Sequence, residues 1–274
     1  MKRIASLERG LLVMDFLRRS GPMSLAEVTQ RSGLPKPTVL RILRTLAAAG
    51  VAHQGLADRL WRLSPQNNPA TGNDDPDARL TEIAGVMLDA LCRKVLWPSD
   101  IGVYRDGAIQ VLENSRRMSP FLVNRDVISQ RIHVLPSAMG RAILAWSSAD
   151  IRERILSELP VLGGGIDRAL PPAADLDASL ARIRARGYAA RQKGYFVSIP
   201  REGRVMAIAV PVDLGQGRVA AVNLSWVASA MTETDFVGRH LDELSATARH
   251  IEAALRDTDS TAISVPANPG KYQK

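Results

Sequence analysis

Apolar side chains recur at helical spacing in three successive segments at the start of the chain. Residues 7–20 form the first segment, which we predict to be a helix with Ser6 as its N-cap and Gly21 just beyond its end. Its apolar stripe comprises Leu7, Leu11, Met14 and Leu17. One such helix cannot bury its stripe alone, so the next two segments decide what it packs against.

The second and third segments predict two further helices joined by a tight turn. Ser24 and Glu27 have the spacing of a capping box, which marks the start of the second helix. Gly33 is expected to end it, because glycine adopts the left-handed conformation at little cost. Pro35 and Pro37 suit the start of the third helix, where a missing N–H costs nothing. The buried stripe of this helix comprises Val39, Ile42, Leu43 and Leu46.

The opposite face of the third helix is polar and basic, as expected for a helix that enters the major groove of DNA. We expect Arg41 and Thr38 to face bases, and Lys36, Arg44 and Arg59 to contact phosphates. The predicted DNA-binding set is Ser24, Lys36, Pro37, Thr38, Arg41, Arg44, Thr45 and Arg59. The alternative is a helical hairpin whose basic face is merely solvated.

After Gly50, residues 51–63 alternate as two short strands around a turn, which predicts a β-hairpin. Three helices followed by a hairpin form a winged helix. Arg59 and Arg62 lie on or beside this wing, where they could reach phosphates. The alternative, a hairpin that only covers the core with its arginines in solvent, stays open for both.

The charge distribution supports a nucleic-acid partner for the first part of the chain. Residues 1–65 contain 11 Lys/Arg and 4 Asp/Glu, a net charge of +7. Since the whole chain carries +8, the other 209 residues carry only +1. A small basic domain joined to a nearly neutral large one suggests that the two domains have different ligands.

Beyond residue 65 the pattern changes. The polar stretch 65–78 is a linker by composition, and the helix predicted over 78–96 has its own apolar stripe. Thr232 is expected to cap a last helix that ends near Leu255. Between them we predict strands at 100–104, 108–114 and 120–124, helices at 138–146, 150–159 and 175–186, a loop at 163–172 and a hairpin over 205–227. This mixture indicates an α+β domain with an antiparallel sheet.

Several classes of protein find no support in the sequence. The single cysteine, Cys92, excludes an intrachain disulfide, and no apolar run approaches the length of a membrane span, so we expect a soluble cytoplasmic protein without a membrane partner. The four histidines and Cys92 lack the spacing of a zinc motif, and we expect no metal or cofactor. No hydrolase elbow or phosphate-binding glycine motif is present, which argues against an enzyme.

The motifs together resemble one family. SLAEVTQRSGLPKPTVLRILRTLAAAGV resembles the helix-turn-helix of IclR-type bacterial transcriptional regulators. RIHVLPSAMGRAILA, ARGYAA, AIAVPV and RVAAVNLS resemble later motifs of that family in the same order. The resemblance implies a winged helix-turn-helix followed by a GAF-like effector-binding domain, assembled as homodimers or dimers of dimers. It departs from the family at Leu135, where a histidine is common, and near Ala207, where a cysteine is common.

A closer resemblance concerns a subgroup that activates catabolism of hydroxyphenylpropionate-type aromatic acids. LWPSD at 96–100 and NLSWVASAMT at 223–232 carry it. It implies a ligand-responsive activator with an operator, an aromatic acid effector and RNA polymerase as partners. The domains are then a winged helix-turn-helix (1–65), a linker and connecting helix (66–96), an effector-binding domain (97–256) and a tail (257–274) expected to be disordered.

The predicted effector pocket combines the family resemblance with one feature of the residues. The resemblance places Ser137, Ala138 and Met139 on one wall, with Phe121 and Asn124 as weaker candidates. Asn223 and Ser225 face the same side of a strand inside the apolar run AAVNLSWV, so a ligand, each other or the backbone must satisfy them if they are buried. The alternatives are that both point to solvent, or that the second domain only oligomerises.

We also expect a homo-oligomer, at least a dimer, because two half-sites multiply the affinity of a small DNA-binding domain. The helix over 78–96 is a candidate dimer element. Its stripe could equally pack inside its own domain.

Overall fold

The computed structural model describes residues 4–67, 76–121, 131–195 and 205–261. Three helices and a hairpin form the first unit. They are α1 (Ala5–Ser20), α2 (Leu25–Ser32), α3 (Lys36–Ala48), β1 (Ala52–Gln54) and β2 (Trp61–Leu63). The predicted winged helix-turn-helix is therefore confirmed.

Local signals set the helix ends of the first unit, with one exception. Ser24 and Glu27 form both halves of the capping box, since the Ser24 Oγ accepts from the Glu27 N–H at 3.2 Å and the Glu27 carboxylate accepts from the Ser24 N–H at 2.7 Å. Gly33 ends α2 with φ of 64°. The prediction that Ser6 caps α1 is wrong. The helix already begins at Ala5, because the Ile4 carbonyl accepts the first N–H groups.

The core of the first unit takes only part of the α1 stripe. Leu17 is buried, whereas Leu7 and Leu11 are 56% and 50% exposed. The core comprises Val13, Leu17, Met23, Val28, Val39, Leu43, Ala52, Trp61 and Leu63. The hairpin closes it, because Trp61 and Met23 exchange backbone hydrogen bonds of 2.9 and 2.7 Å. The first half of α1 therefore presents uncovered leucines.

The second unit is an α+β layer structure with an antiparallel sheet, as predicted. Its helices are α4 (Pro76–Val95), α5 (Ala138–Trp146), α6 (Ala149–Leu162), α7 (Ala173–Arg186) and α8 (Glu233–Thr261). Its strands are β3 (Ser99–Arg105), β4 (Ala108–Asn114), β5 (Ala189–Ala190), β6 (Val205–Asp213) and β7 (Val219–Val227), in the order β4-β3-β7-β6-β5. All neighbouring strands run antiparallel.

The alternation of β7 separates the two faces of the sheet. Val222, Leu224 and Trp226 point into a core shared with α4 and α8. The neighbouring positions Asn223 and Ser225 point to the other face, where Ala207, Ala209 and Ala221 pack with α5. The α4 stripe belongs to the first of these cores, through Leu80, Ala84, Leu88 and Leu91.

Three predictions in this unit need correction. Residues 120–121 lie outside any strand, and the rest of the strand predicted over 120–124 falls outside the described residues. The last helix continues to Thr261, past the predicted boundary at 257, and Arg79 donates to the Leu255 carbonyl at 2.7 Å near its end. Gly165–Arg168, predicted as loop, form a turn of 3-10 helix. None of the described helices is long and apolar enough to cross a membrane.

Candidate DNA-binding surface and effector pocket

The outer face of α3 presents the predicted DNA-contacting residues together. Val39 and Leu43 are fully buried on the inner side of the helix. The outer side exposes Lys36, Pro37, Arg41, Arg44 and Thr45, with Thr38 half-buried. Within the described residues, no carboxylate neutralises Lys36, Arg41 or Arg44. This face therefore offers three free cations on one helix, as phosphate and base contacts require.

The remaining predicted DNA contacts lie off α3. Ser24 uses its hydroxyl to cap α2. Arg59 is exposed in the turn of the hairpin, with φ of 63°, and its carbonyl accepts from Gln54 Nε2 at 2.7 Å. Arg62 is half-buried and paired with Asp58 of the same hairpin. That ion pair holds the Arg62 guanidinium on the hairpin.

The start of α5 is held in place from two sides. Ser137 caps the helix by accepting from the Gly140 N–H at 3.0 Å, and Ala138 and Met139 are buried. On the other side, the Asp167 carboxylate accepts from the backbone N–H groups of Val134 at 2.7 Å and Leu135 at 2.9 Å. Asp167 is fully buried. Hydrogen bonds thus fix the backbone on both sides of residues 137–139, the predicted pocket wall.

Asn223 and Ser225 are buried and face α5. They are 3% and 0% exposed, so the alternative that both point to solvent is wrong. The Asn223 Oδ1 accepts from the backbone N–H of Asp100 at 2.9 Å. Within the described residues, the Ser225 Oγ has no hydrogen-bond partner. A buried hydroxyl without a partner is costly and marks a place where another molecule could bond.

A buried ion pair lies beside these two residues. Arg116 donates from Nε and Nη2 to the two Asp100 carboxylate oxygens, at 2.5 and 2.7 Å. The side chains are 5% and 1% exposed, respectively. Asn114 lies opposite Asp100 in the register of β3 and β4, and its Oδ1 accepts from the Arg116 N–H at 3.1 Å. The Asn114 Nδ2 is buried with no partner among the described residues.

Comparison with known proteins decides the family. The sequence matches the profile of the IclR helix-turn-helix domain over residues 6–55. It also matches that of the bacterial transcriptional regulator IclR C-terminal domain over residues 77–253. The chain belongs to the IclR family of transcriptional regulators. Family members are regulators and not enzymes, and two domains of this kind imply DNA and a small-molecule effector as partners.

Individual relatives are distant but cover most of the chain. The regulator BhcR of Paracoccus denitrificans is 28% identical over 226 residues, covering 81% of this chain and 77% of that protein. A transcriptional regulator from Rhodococcus sp. RHA1 has a TM-score of 0.53 at 24% identity, covering 93% of this chain and all of the other. An IclR homologue of Microbacterium hydrocarbonoxydans, solved with 4-hydroxybenzoate, has a TM-score of 0.50 at 22% identity, covering 92% and 99%.

The structure places the other predicted pocket residues of this IclR-family chain elsewhere. Phe121 stacks on Trp97 with ring centroids 4.0 Å apart, and Trp97 belongs to the core with α4 and α8. Phe121 therefore lies on the opposite side of the sheet from α5. This corrects the prediction that it forms part of the effector pocket wall. Two residues earlier, the Ser119 hydroxyl donates to the carbonyl of Leu96, just beyond the end of α4, at 2.8 Å. Asn124 lies outside the described residues.

Sequence reasoning missed the Asp100–Arg116 pair, Asn114 and Asp167. One signal was available, since Asp100 opens a strand that is otherwise apolar. Its partner lies 16 positions away, so the pairing shows only once the strands are in register. Cys92, by contrast, is buried, and burial raises the pKa of its thiol, in keeping with a structural role.

Proposed function

We propose that this regulator senses a small aromatic acid of the phenylpropionate type and, with RNA polymerase, activates a catabolic operon for such acids. The observation that carries the proposal is the buried polar group on the α5 face of the sheet. Asn223 accepts there from the Asp100 backbone, Asn114 lies opposite Asp100 and bonds to Arg116, and Ser225 lies two positions along β7 from Asn223. Apolar residues of the α5 layer lie on the same face. The direction of regulation rests on the subgroup resemblance carried by residues 96–100 and 223–232.

An acid can engage this group through Arg116 if it shares or replaces the Asp100 carboxylate. A guanidinium binds a carboxylate through two parallel hydrogen bonds, the geometry that Arg116 shows with Asp100. The unpartnered Ser225 Oγ and Asn114 Nδ2 supply further polar contacts that could orient a ligand. A neutral apolar ligand would leave these groups unsatisfied, so it would bind less well than an acid.

An aromatic body suits the walls. Small side chains line the α5 face, at Ala138, Ala207, Ala209 and Ala221, and Met139 packs close to Gly102. Leu135, at the position where the family often has histidine, is partly buried beside that core. Apolar walls bury a ring, and a few polar groups fix its orientation. The Microbacterium homologue, solved with 4-hydroxybenzoate, supports the idea that this fold accommodates such a ligand.

For the DNA-binding unit, we propose that the α3 face enters the major groove. Arg41 and Thr38 then face bases, while Lys36 and Arg44 contact phosphates, with Ser24, Pro37, Thr45 and Arg59 at the margins. The support is the exposure of three cations on a helix whose other side is buried. Counterion release then makes the affinity fall steeply with salt.

We further propose that a second copy of the chain covers the first half of α1, giving a homodimer or a dimer of dimers. Ile4, Leu7, Leu11 and Leu12 are exposed there, beside a groove that Thr38 and Arg41 also line. An apolar patch next to a DNA-contacting helix suits a dimer that binds two half-sites. The α4 stripe is less suited, because it packs inside its own unit.

Calorimetry with 3-(3-hydroxyphenyl)propionate and a panel of related acids tests the sensor proposal. We expect the wild type to bind and the Asn223→Ala, Ser225→Ala double variant to bind at least about tenfold more weakly, since each lost polar contact costs about 1 kcal/mol or more. Ser157→Ala, at an exposed position of α6, is the matched control. Equal affinity of the double variant and wild type would show that the pocket lies elsewhere. Binding of no acid by wild type would favour a second domain that only oligomerises.

A further inference from the structure

The Glu113 side chain lies at the junction of the two units and is only 3% exposed. Its carboxylate reaches from the end of β4 to the hairpin of the winged helix. It accepts from the backbone N–H groups of Leu56 and Ala57, each at 2.8 Å, and from the N–H of Asn114 at 2.9 Å. Leu56 and Ala57 form the buried turn of that hairpin. The Glu113 carboxylate thus links the DNA-binding unit to the second unit.

This contact is stronger than an ordinary hydrogen bond between domains. A buried carboxylate is costly unless several donors satisfy it, and here three N–H groups do so. The two hairpin N–H groups are buried as well, so they would also lose a partner if the contact broke. Burial raises the pKa of the Glu113 carboxyl, as its withdrawal from water requires. Leu56 adds apolar contact by packing into the core with α4 and α8.

The next residue along the strand belongs to the proposed pocket. Side chains alternate along β4, so Glu113 points to the junction while Asn114 lies opposite Asp100 and bonds to Arg116. The ladder between β3 and β4 shifts register beside them, between Ile101 and Gly102. Such a bulge leaves the strand locally less tied to its neighbour. Glu113 and Asn114 are joined by one peptide bond. A movement of Asn114 therefore shifts Glu113, and with it the hairpin turn to which Glu113 is bonded.

The junction also contains space for movement. A cavity of about 360 Å³ lies against Glu113 and Ala57, and it extends to residues of both units, among them Leu17, His53, Leu63 and Thr81. A second tie crosses the junction, because the Ser64 hydroxyl donates to the Glu82 carboxylate at 2.6 Å. Glu82 lies on α4, which carries none of the polar pocket residues. Among the described residues, the junction thus has the Glu113 contact on the pocket strand, and contacts of Glu82 with Ser64 and His53 away from that strand.

We propose that Glu113 couples the effector pocket to the winged helix, by holding the hairpin turn in a position that depends on whether an acid engages Asn114 and Arg116. The inference rests on the proposed sensor function. In the arrangement described above, the carboxylate holds the turn at Leu56 and Ala57. In the second arrangement of β4, Glu113 no longer holds the hairpin turn. An acid whose affinity differs between these two arrangements shifts the population of winged-helix orientations. Without that difference in affinity, the acid could not regulate DNA binding.

The test uses the full chain as wild type, Glu113→Ala, Glu113→Gln and the control Glu82→Gln. Amide hydrogen exchange over residues 55–60 reports whether Glu113 is hydrogen-bonded to the hairpin turn. Anisotropy with a duplex selected by wild type from a random library gives the DNA affinity with and without 3-(3-hydroxyphenyl)propionate. Calorimetry gives acid affinity. We expect Glu113→Ala to bind the acid within about twofold of wild type, but to exchange the Leu56 and Ala57 amides about tenfold faster or more.

The deciding quantity is the ratio of DNA affinities with and without the acid. Glu113→Ala should bring this ratio close to one, Glu113→Gln should lie between it and wild type, and Glu82→Gln should keep the wild-type ratio. A wild-type ratio in Glu113→Ala, with acid binding intact, would overturn the coupling and leave the sensor function standing. A ratio close to one in Glu82→Gln as well would overturn the specific role of Glu113. Failure of wild type to bind any acid would instead reject the proposed function, and the coupling with it.

Discussion

Replacing Arg116 by methionine should destabilise the second unit strongly. The substitution preserves much of the apolar stem but removes both hydrogen bonds to Asp100. The Asp100 side chain is 1% exposed, so its carboxylate cannot recover the lost bonds from water. Breaking a buried pair by removing one partner costs about 3–5 kcal/mol of unfolding free energy. A double substitution, Asp100→Leu with Arg116→Met, should recover most of that cost, because no isolated charge remains buried.

Urea denaturation followed by tryptophan fluorescence measures this effect, since Trp97 and Trp226 both lie in the core of the second unit. Arg105→Met is the matched control. Arg105 pairs with Asp77, but its side chain is half exposed, and such a pair contributes at most about 1 kcal/mol. If Arg116→Met cost no more than Arg105→Met, or if the double variant were as unstable as the single one, the pair would not be a buried, mutually dependent unit.

Three further predictions concern other parts of the chain. Arg41→Ala should cost about 1–3 kcal/mol at one base pair if its guanidinium contacts guanine, and a gel-shift titration in which the variant binds the selected duplex as tightly as wild type would reject that contact. Burial, together with the Arg62 cation, lowers the pKa of His53 to about 4 from 6.5, although the Glu82 carboxylate lies 3.5 Å from its Nδ1 and favours the charged form. As the pH falls below 6.5 the unfolded chain therefore takes up the proton first, and His53 should cost the folded state about 2 kcal/mol between pH 7 and pH 5. In urea titrations, His53→Gln should lack this decrease in the free energy of unfolding between pH 7 and pH 5. An identical pH dependence in the variant and wild type would contradict the prediction. Leu7→Ser with Leu11→Ser should reduce the oligomer to a smaller species by light scattering, and a wild-type monomer at micromolar concentration would refute the dimer proposal.

Local chemistry determined much of the secondary structure. The capping box of Ser24 and Glu27, the left-handed Gly33 and the caps at Ser137 and Thr232 appear in the structure as the sequence predicts. Each of these features involves residues at most four positions apart, so no distant contact was needed to recognise it. The alternation of β7 likewise placed Asn223 and Ser225 on one face, because side chains in a strand alternate with period two.

Periodicity identifies an apolar face but not what covers it, and the partner of each face was decided by the tertiary structure. The α1 and α4 stripes look alike in sequence, yet Leu7 stays exposed and Leu80 is buried, because only α4 lies against the sheet and α8. Glu113 meets Leu56 and Ala57 across 56 or more positions, and Arg116 meets Asp100 across 16. Such contacts depend on strand register and domain docking, in which the burial of whole faces outweighs any local preference.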